Sequence, residues 1–588
     1  MTAQDLNDLW LKGKYQEVLD LFAQKEAQGK FATFTEDTQI ECLYYKSRAL
    51  ERSGQIEASL KLTTAARKKY VSPPNKTLLL ALIGAHLYAL WRLGRLDEAL
   101  DVITEGNAIL EALTPDERNT GVRWRALFAH LTAVIYHRCN RNTALKHYQQ
   151  ALVLAEASGD PDLIATTLNN LGVIHWEKEK FDKALDYHQR ALAVGEETNN
   201  LWSIGYLLNN IGDDYRNKGE LDTALKYYQR SFAIRKELDN PSSTASGLTT
   251  ISWIYWAKGE LDTALDYRQK ALTILETTGD LRGISNTLSS IGRVHRAKDE
   301  LDSALDYYQR AVALQKKLVH PKYVAQSYTA IGEVYRAKNN PDMALSYFQQ
   351  ALAIQKLGEW HLATSQTLLF LILLSLDQQE HAPAQTYLTQ LQELSDRMPN
   401  KWIDLRTQLA KALVLKRSPR MVDKTQAQTM LRKIVSDEIL DFDYTALAMI
   451  HLCDLLVLEV KSFGASEAWE EIKALTQQLS VKAKEQHSFV LIGEALLLQA
   501  KFVTIEGELQ QALEYFAQAR LLAEEKNLGL LAQKVAVEEN RFKSEFEKWQ
   551  KLIQRNASLH ERLKQAELED YIQKAQKLVD LLEIPPAK

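Results

Sequence analysis

Apolar residues recur at three- and four-residue steps along most of this 588-residue chain, in runs separated by short polar breaks such as Lys218-Gly219-Glu220. That spacing gathers them on one side of a helix, not on one face of a strand. Strand-like alternation is absent. The pattern therefore predicts an all-α chain in which amphipathic helices come in pairs about each break.

The pairs repeat. KALDYHQRA at 183–191, TALKYYQRS at 223–231, TALDYRQKA at 263–271, SALDYYQRA at 303–311 and MALSYFQQA at 343–351 align without gaps. Their alanines, Ala184, Ala224, Ala264, Ala304 and Ala344, are each 40 residues apart. Backwards the register continues through Ala144, Ala99 and Ala58 to Val18, and forwards through Ala384, Ala427, Ala468 and Ala512. A small residue on the first helix of the pair, Gly172, Gly212, Gly292 or Gly332, precedes the alanine by twelve positions. Both are expected where helices approach closely, because a larger side chain would overpack the contact at about 1–3 kcal/mol. Pro161, Pro241 and Pro321 fall in the turns between repeats, where Asp160 or Asn240 is placed to cap the next helix and proline is tolerated in its first turn.

Four regions follow: divergent repeats over 1–120, regular 40-residue repeats over 121–360, divergent repeats over 361–530, and a C-terminal helix with a tail over 531–588. In the last region a stripe runs through Phe542, Phe546, Trp549 and Ile553, is interrupted at Asn556 and His560, and resumes in a shifted register at Leu568, Ile572, Ala575 and Val579. Without three or four sustained heptads this reads as a long capping helix, not a coiled coil, and the IPPAK tail is expected to fray.

Composition narrows the function. A net charge of −4, with both signs intermixed, gives no reason to expect nucleic acid or an anionic membrane as partner. Cys42, Cys139 and Cys453 are odd in number and far apart, which suggests neither a disulfide framework nor a zinc cluster and fits a reducing compartment. The N-terminus lacks a signal pattern, and the longest apolar run, LLFLILLSL at 368–376, is about half a membrane span. A cytoplasmic protein is expected.

Leu171-Gly172 with His175, and Ile211-Gly212, Tyr215, Gly219, Ala224 and Tyr228, carry a family resemblance. The chain resembles tetratricopeptide-repeat (TPR) proteins of the 40-residue-period type, similar to the Pins/LGN and kinesin-light-chain groups and to bacterial peptide-sensing regulators. The match is strongest over 125–355. The resemblance implies an α-solenoid, a right-handed superhelix of antiparallel helix pairs whose first helices line a concave groove.

On the first helix of each pair, Leu168, Leu171 and Gly172 belong to the packing face, whereas Asn169, Val173 and Trp176 fall on another face at i, i+4 and i+7. The equivalent sets are Asn209, Asp213 and Arg216; Thr249, Trp253 and Trp256; Ser289, Arg293 and Arg296; and Thr329, Glu333 and Arg336. An asparagine amide offers the donor and the acceptor that an extended peptide backbone needs, at a cost of several tenths of a kcal/mol in helix propensity. Asn169 and Asn209 are accordingly assigned to the groove. Asn170 and Asn210, one position further round, serve equally well as bonds between neighbouring repeats. Arginine recognises carboxylates in a planar, bidentate way, and tryptophan supplies anchoring surface, so the row suits a partner segment with acidic and apolar side chains. The competing assignment pairs these arginines with Asp213 and Glu333 inside the array. The recurrent tyrosines Tyr187, Tyr227, Tyr267 and Tyr307 read as core.

No catalytic constellation emerges. Gly13-Lys14 and Gly29-Lys30 are followed by Tyr15 and Phe31 and lack the upstream glycine of a phosphate loop. His560-Glu561 lacks a second histidine, Lys564 standing in its place, and His130 with His137 is a spacing that helix periodicity gives unaided. No metal, cofactor or catalytic nucleophile is expected. The chain is read as a non-enzymatic adaptor or scaffold holding a partner's peptide segment, with a ligand-sensing regulator whose superhelix changes on binding as the alternative. A third reading, the sensor arm of a signalling ATPase, finds no support in the sequence.

Overall fold

The computed structural model describes Leu6, Leu9 and residues 15–572 except 71–74, 179, 239–240, 299, 438–441, 465, 486–487, 527, 567 and 569–570. Asn240, Gly13-Lys14, Ala575, Val579 and the IPPAK tail lie outside the described residues. Among those described, the regular elements are α-helices, with one short 3-10 turn at Lys30–Thr33 and no strand. The chain divides into two compact units, residues 1–247 and 248–588.

Within the first unit, helices follow one another as packed pairs: Val122–Cys139 with Arg141–Ser158, Pro161–Glu177 with Phe181–Glu197, and Leu201–Asn217 with Leu221–Glu237. Start signals match the sequence reading where they can be compared. Asp160 accepts the Leu163 amide at 3.1 Å through Oδ1, with Pro161 at the first helical position. Turns inside the pairs end in left-handed backbone: Gly219 has φ 80° and, in the second unit, Gly259 has φ 70°. Asn339, at the same register, has φ 55°, the non-glycine residue best suited to it.

The alanine register is buried throughout. Ala99, Ala144, Ala184 and Ala224 in the first unit, and Ala264, Ala304, Ala344, Ala384, Ala427 and Ala512 in the second, have no exposed surface. One copy differs from the sequence alignment: Ala58 is exposed and Ser59 holds the buried place, 40 residues before Ala99. Ser59 fits because its hydroxyl bonds Ser47 Oγ at 2.7 Å and Glu51 Oε1 at 3.1 Å. The glycines meet an aromatic ring four residues beyond the alanine. A Cβ on Gly212 would stand 2.5 Å from the Tyr228 ring, and one on Gly332 2.6 Å from Phe348. Where Ser252 replaces the glycine, the facing ring is replaced by Arg268, whose Nε donates to Ser252 Oγ at 2.7 Å and whose Nη1 donates to the Ser290 carbonyl.

The tyrosine series read as core is only half-buried. Tyr187, Tyr227, Tyr267 and Tyr307 stack on His175, Tyr215, Tyr255 and His295 of the paired helix at 5.1–5.4 Å, while the next residue along, as in Tyr228 and Tyr308, fills the interior.

In the second unit the apolar run at 368–376 lies in the helix His361–Asp377, buried from Leu368 to Leu376 among its neighbours. A helix apolar all round needs partners on several sides, and here it packs on the helices Pro341–Leu357, His381–Arg397 and Lys401–Lys416. No described helix is long and apolar enough to cross a membrane. The 26-residue helix Gly529–Gln554 carries the Phe542 to Ile553 stripe and stops before Asn556, which is left-handed at φ 50°. Ser558 and Glu561 then exchange backbone-to-side-chain bonds of 3.3 and 3.1 Å, starting a second helix, Leu559–Ala566.

Candidate functional site

Packing of the first helices decides which of the groove residues reach open space. In the first unit, the Asn-Asn pairs form a chain from helix to helix. Asn210 donates to Asn169 Oδ1 at 2.7 Å, Asn169 donates to Asn170 Oδ1 at 3.3 Å, and Asn170 approaches His130 Nε2 at 3.5 Å. His130 Nδ1 in turn lies 3.0 Å from Thr167 Oγ1. Burial, assisted by Arg48, brings the His130 imidazole down to about 3, so it stays neutral and serves as a hydrogen-bonding ring.

Asn209 donates to Asp213 Oδ2 at 3.3 Å, while Asp213 Oδ1 accepts from Tyr228 Oη and from Arg216 Nη1, both at 2.8 Å. Asp213 thereby ties one helix of its repeat to the other. Trp176 is half-buried.

Beside this network the first unit has an open cavity of about 900 Å3. Asn169, Asn170 and Val173 line it; Trp176, Asn209, Asp213 and Arg216 do not. The rest of the lining includes residues that the sequence reading missed, among them Tyr44, Arg48, Arg123, Asp162, Trp202 and Tyr206. A signal for some of them existed. Asp162 and Thr166 precede Asn169 by seven and three residues, and Trp202 and Tyr206 precede Asn209 likewise, so the face simply extends toward the start of each first helix. The aromatic wall carried the same signal: Tyr88 and Trp91 stand eleven and eight residues before Ala99, as Val173 and Trp176 do before Ala184, and Tyr44 falls on the Asn169 position once Ser59 takes the place of Ala58.

The second unit has its own cavity, of about 590 Å3, lined by Ser289, Arg293, Arg296, Thr329 and Glu333 together with Asn286, Lys322 and Gln326. Arg296 Nη1 pairs with Glu333 Oε2 at 2.9 Å, and Arg293 Nη2 donates to Ser290 Oγ at 3.0 Å. Arg336, outside the lining, binds Asp377 Oδ2 at 2.8 Å through Nη2 and at 2.9 Å through Nε. Arg296 and Arg336 thus each reach an acid on the following repeat, whereas Arg216 at the same register stays with Asp213 of its own helix; Lys416 reaches Asp454 at 2.5 Å, and in the first unit His137, one position further on, reaches Glu177 at 3.1 Å. Trp253 and Trp256 are half-buried with ring centroids 6.3 Å apart, and Trp256 packs on the main core. Among the described residues no group of His, Cys, Asp and Glu is arranged to hold a metal ion.

A family profile described as tetratricopeptide repeat matches residues 126–197, 203–277 and 283–357. Similar solved structures include the apo form of RapI, 15% identical over 61% of this chain and 98% of that one, with a TM-score of 0.47. The apo form of the quorum sensor NprR from B. thuringiensis is 14% identical over 60% of this chain and 97% of its own, with a TM-score of 0.45. BtubC from P. vanneervenii is 22% identical over 39% of this chain and 92% of its own, with a TM-score of 0.32. No curated protein matches the chain in sequence.

Proposed function

Starting from a chain built of tetratricopeptide repeats over 126–197, 203–277 and 283–357, we propose that it is a non-enzymatic adaptor that holds extended peptide segments of a partner protein against its first helices. The observation that supports this most directly is the pair of cavities, about 900 and 590 Å3, that open on the repeat-equivalent positions 169 and 173 in one unit and 289, 293, 329 and 333 in the other. Each is large enough for several side chains, and each mixes amides, hydroxyls and charged groups with aromatic walls, the combination that fixes a main chain while leaving room for side-chain selection. A cytoplasmic setting suits the described cysteines, Cys42 and Cys453, which are buried thiols.

Filling the cavities tests the reading. The full chain would be titrated by fluorescence polarisation with peptides recovered from a displayed linear dodecapeptide library. Val173→Trp should abolish binding of those seated in the first unit and Ala330→Trp of those seated in the second, with helicity by circular dichroism unchanged. Peptides that bind both variants as tightly as the wild type would place binding elsewhere.

A further inference from the structure

The charges lining the first unit's cavity are unequally matched. Arg48 is held by Glu51 at 2.6 Å, Arg123 by Asp160 at 2.6 Å, and Arg141 by Glu177 at 2.7 Å. Asp162 has no such partner among the described residues. Its Oδ1 accepts one hydrogen bond, from Asn200 Nδ2 at 2.9 Å, and that is a neutral donor. Burial pushes the Asp162 carboxyl up from its ordinary value and the neighbouring Asp160 adds to this, while the Asn200 bond and the more distant charge of Arg123 oppose it. A half-buried carboxylate facing a cavity with no ion pair of its own, its nearest cation Arg123 being engaged by Asp160, is an electrostatic demand that a bound cation would meet.

The same asparagine places an aromatic surface next to it. Asn200 caps the helix Leu201–Asn217 by accepting the Ser203 amide at 3.1 Å, so the first turn of that helix is anchored where Asn200 touches Asp162. Trp202 stands in that turn and Tyr206 one turn on. Their rings are parallel within 3° at 6.0 Å, both line the cavity, and both are exposed, at 39% and 45%. An exposed indole and phenol beside a carboxylate form a surface on which a guanidinium stacks while its N–H groups reach the acid.

We infer that Asp162, with the Trp202 and Tyr206 rings, forms a subsite for a basic side chain of the bound peptide, arginine in preference to lysine. This rests on the peptide-binding reading and specifies what the peptide carries. It reverses the acidic partner expected from the arginine row, because Arg216, Arg296 and Arg336 already hold carboxylates of their own chain. Arginine is preferred because a planar cation stacks on both rings, whereas an ammonium is more strongly hydrated.

A dodecapeptide display library selected in parallel on the wild-type chain and on Asp162→Asn tests the subsite. The wild type should enrich arginine, and lysine to a lesser degree, at one fixed position, and the Asp162→Asn selection should lose that preference. A synthetic copy of the strongest wild-type binder should lose at least ten-fold in affinity on Asp162→Asn. Its Arg→Gln version should bind both proteins equally. Trp202→Ala, at the exposed rim, should weaken the same peptide three- to ten-fold with an unchanged melting temperature, and it decides the matter should Asp162→Asn fail to fold. Basic enrichment that persists on Asp162→Asn, or wild-type binders enriched in acidic or apolar residues alone, would overturn the subsite while leaving peptide binding intact. A selection that yields no binders would overturn both.

Discussion

His188 Nδ1 lies 2.6 Å from Asp214 Oδ2, with the two side chains 2% and 0% exposed. The contact links the second helix of one repeat to the first helix of the next, at a register where the sibling repeats, Arg268 apart, carry aromatic or aliphatic side chains. Tyr148 and Phe348 correspond to His188, and Ile174 and Leu374 to Asp214. His188 Nε2 and Asp214 Oδ1 have no hydrogen-bond partner among the described residues, so the pair is buried without full satisfaction.

Removing one member should therefore cost much more than removing both. His188→Phe strands the Asp214 carboxylate and is expected to destabilise by about 3–5 kcal/mol. His188→Phe with Asp214→Ile, which restores the pattern of the neighbouring repeats, should return to or exceed the wild-type urea midpoint. A double variant as unstable as the single one would mean that the pair fixes the repeat spacing in a way apolar residues cannot.

The glycine-to-ring contact gives a second, purely steric expectation. Gly332→Ala puts a methyl 2.6 Å from the Phe348 ring, a distance that forces the helices apart. It should destabilise by about 1–3 kcal/mol despite alanine's better helix propensity. Adding Phe348→Leu should recover part of the loss. A stabilised Gly332→Ala, measured by thermal unfolding, would show that propensity outweighs packing at this contact.

Much of this architecture was legible because it is local. The alanines 40 residues apart and the glycines twelve positions earlier report a helix pair whose partners are close in sequence, and burial of Ala144 through Ala384 follows from that register. Ser59 was missed because a serine carries no apolar signal; its place is set by the hydroxyl contacts with Ser47 and Glu51. The site was legible only in part. Helical periodicity identified the face of Asn169, Ser289 and Thr329, but it contains nothing on how adjacent repeats rotate, and that rotation sends Arg296 to Glu333 and Arg336 to Asp377. Asp162 and Trp202 were missed for a simpler reason: they sit in first turns, before the conspicuous asparagines.

Arg296, paired inside the array, is therefore expected to act on stability. Arg296 and Glu333 side chains are 8% and 15% exposed, so their 2.9 Å contact is well shielded. Arg296→Ala should lower the melting temperature, with a loss of about 2–4 kcal/mol from the carboxylate left behind. Pairing it with Glu333→Ala should give a double-mutant cycle with a coupling above about 1 kcal/mol. Unchanged melting in Arg296→Ala would remove the ion pair as a link between repeats.

Acid should loosen the first unit through two buried histidines. His86 Nδ1 lies 2.9 Å from Thr63 Oγ1, and burial, reinforced by Arg67, brings its imidazole down to about 4; His130 is down to about 3 for the same leading reason. In the unfolded chain a histidine titrates near 6.5, so there the proton binds first. Depressed folded-state values mean that the stability tied to the neutral rings is fully present above about pH 6.5 and is lost as pH falls from there toward 4 and then 3. Each ring should contribute on the order of 1 kcal/mol of destabilisation by pH 5.5. His451 in the second unit is also held well below its ordinary value by burial, so a global melting curve would mix the two units. Hydrogen–deuterium exchange of peptides from the helices Lys76–Arg92 and Val122–Cys139 separates them. Protection there should fall between pH 7.5 and 5.5, after correction for the intrinsic exchange rate. His86→Asn with His130→Asn, which retains a hydrogen-bonding atom near the Nδ1 position of each ring, should flatten that dependence. A dependence that persists in the double variant would assign the acid sensitivity to other groups.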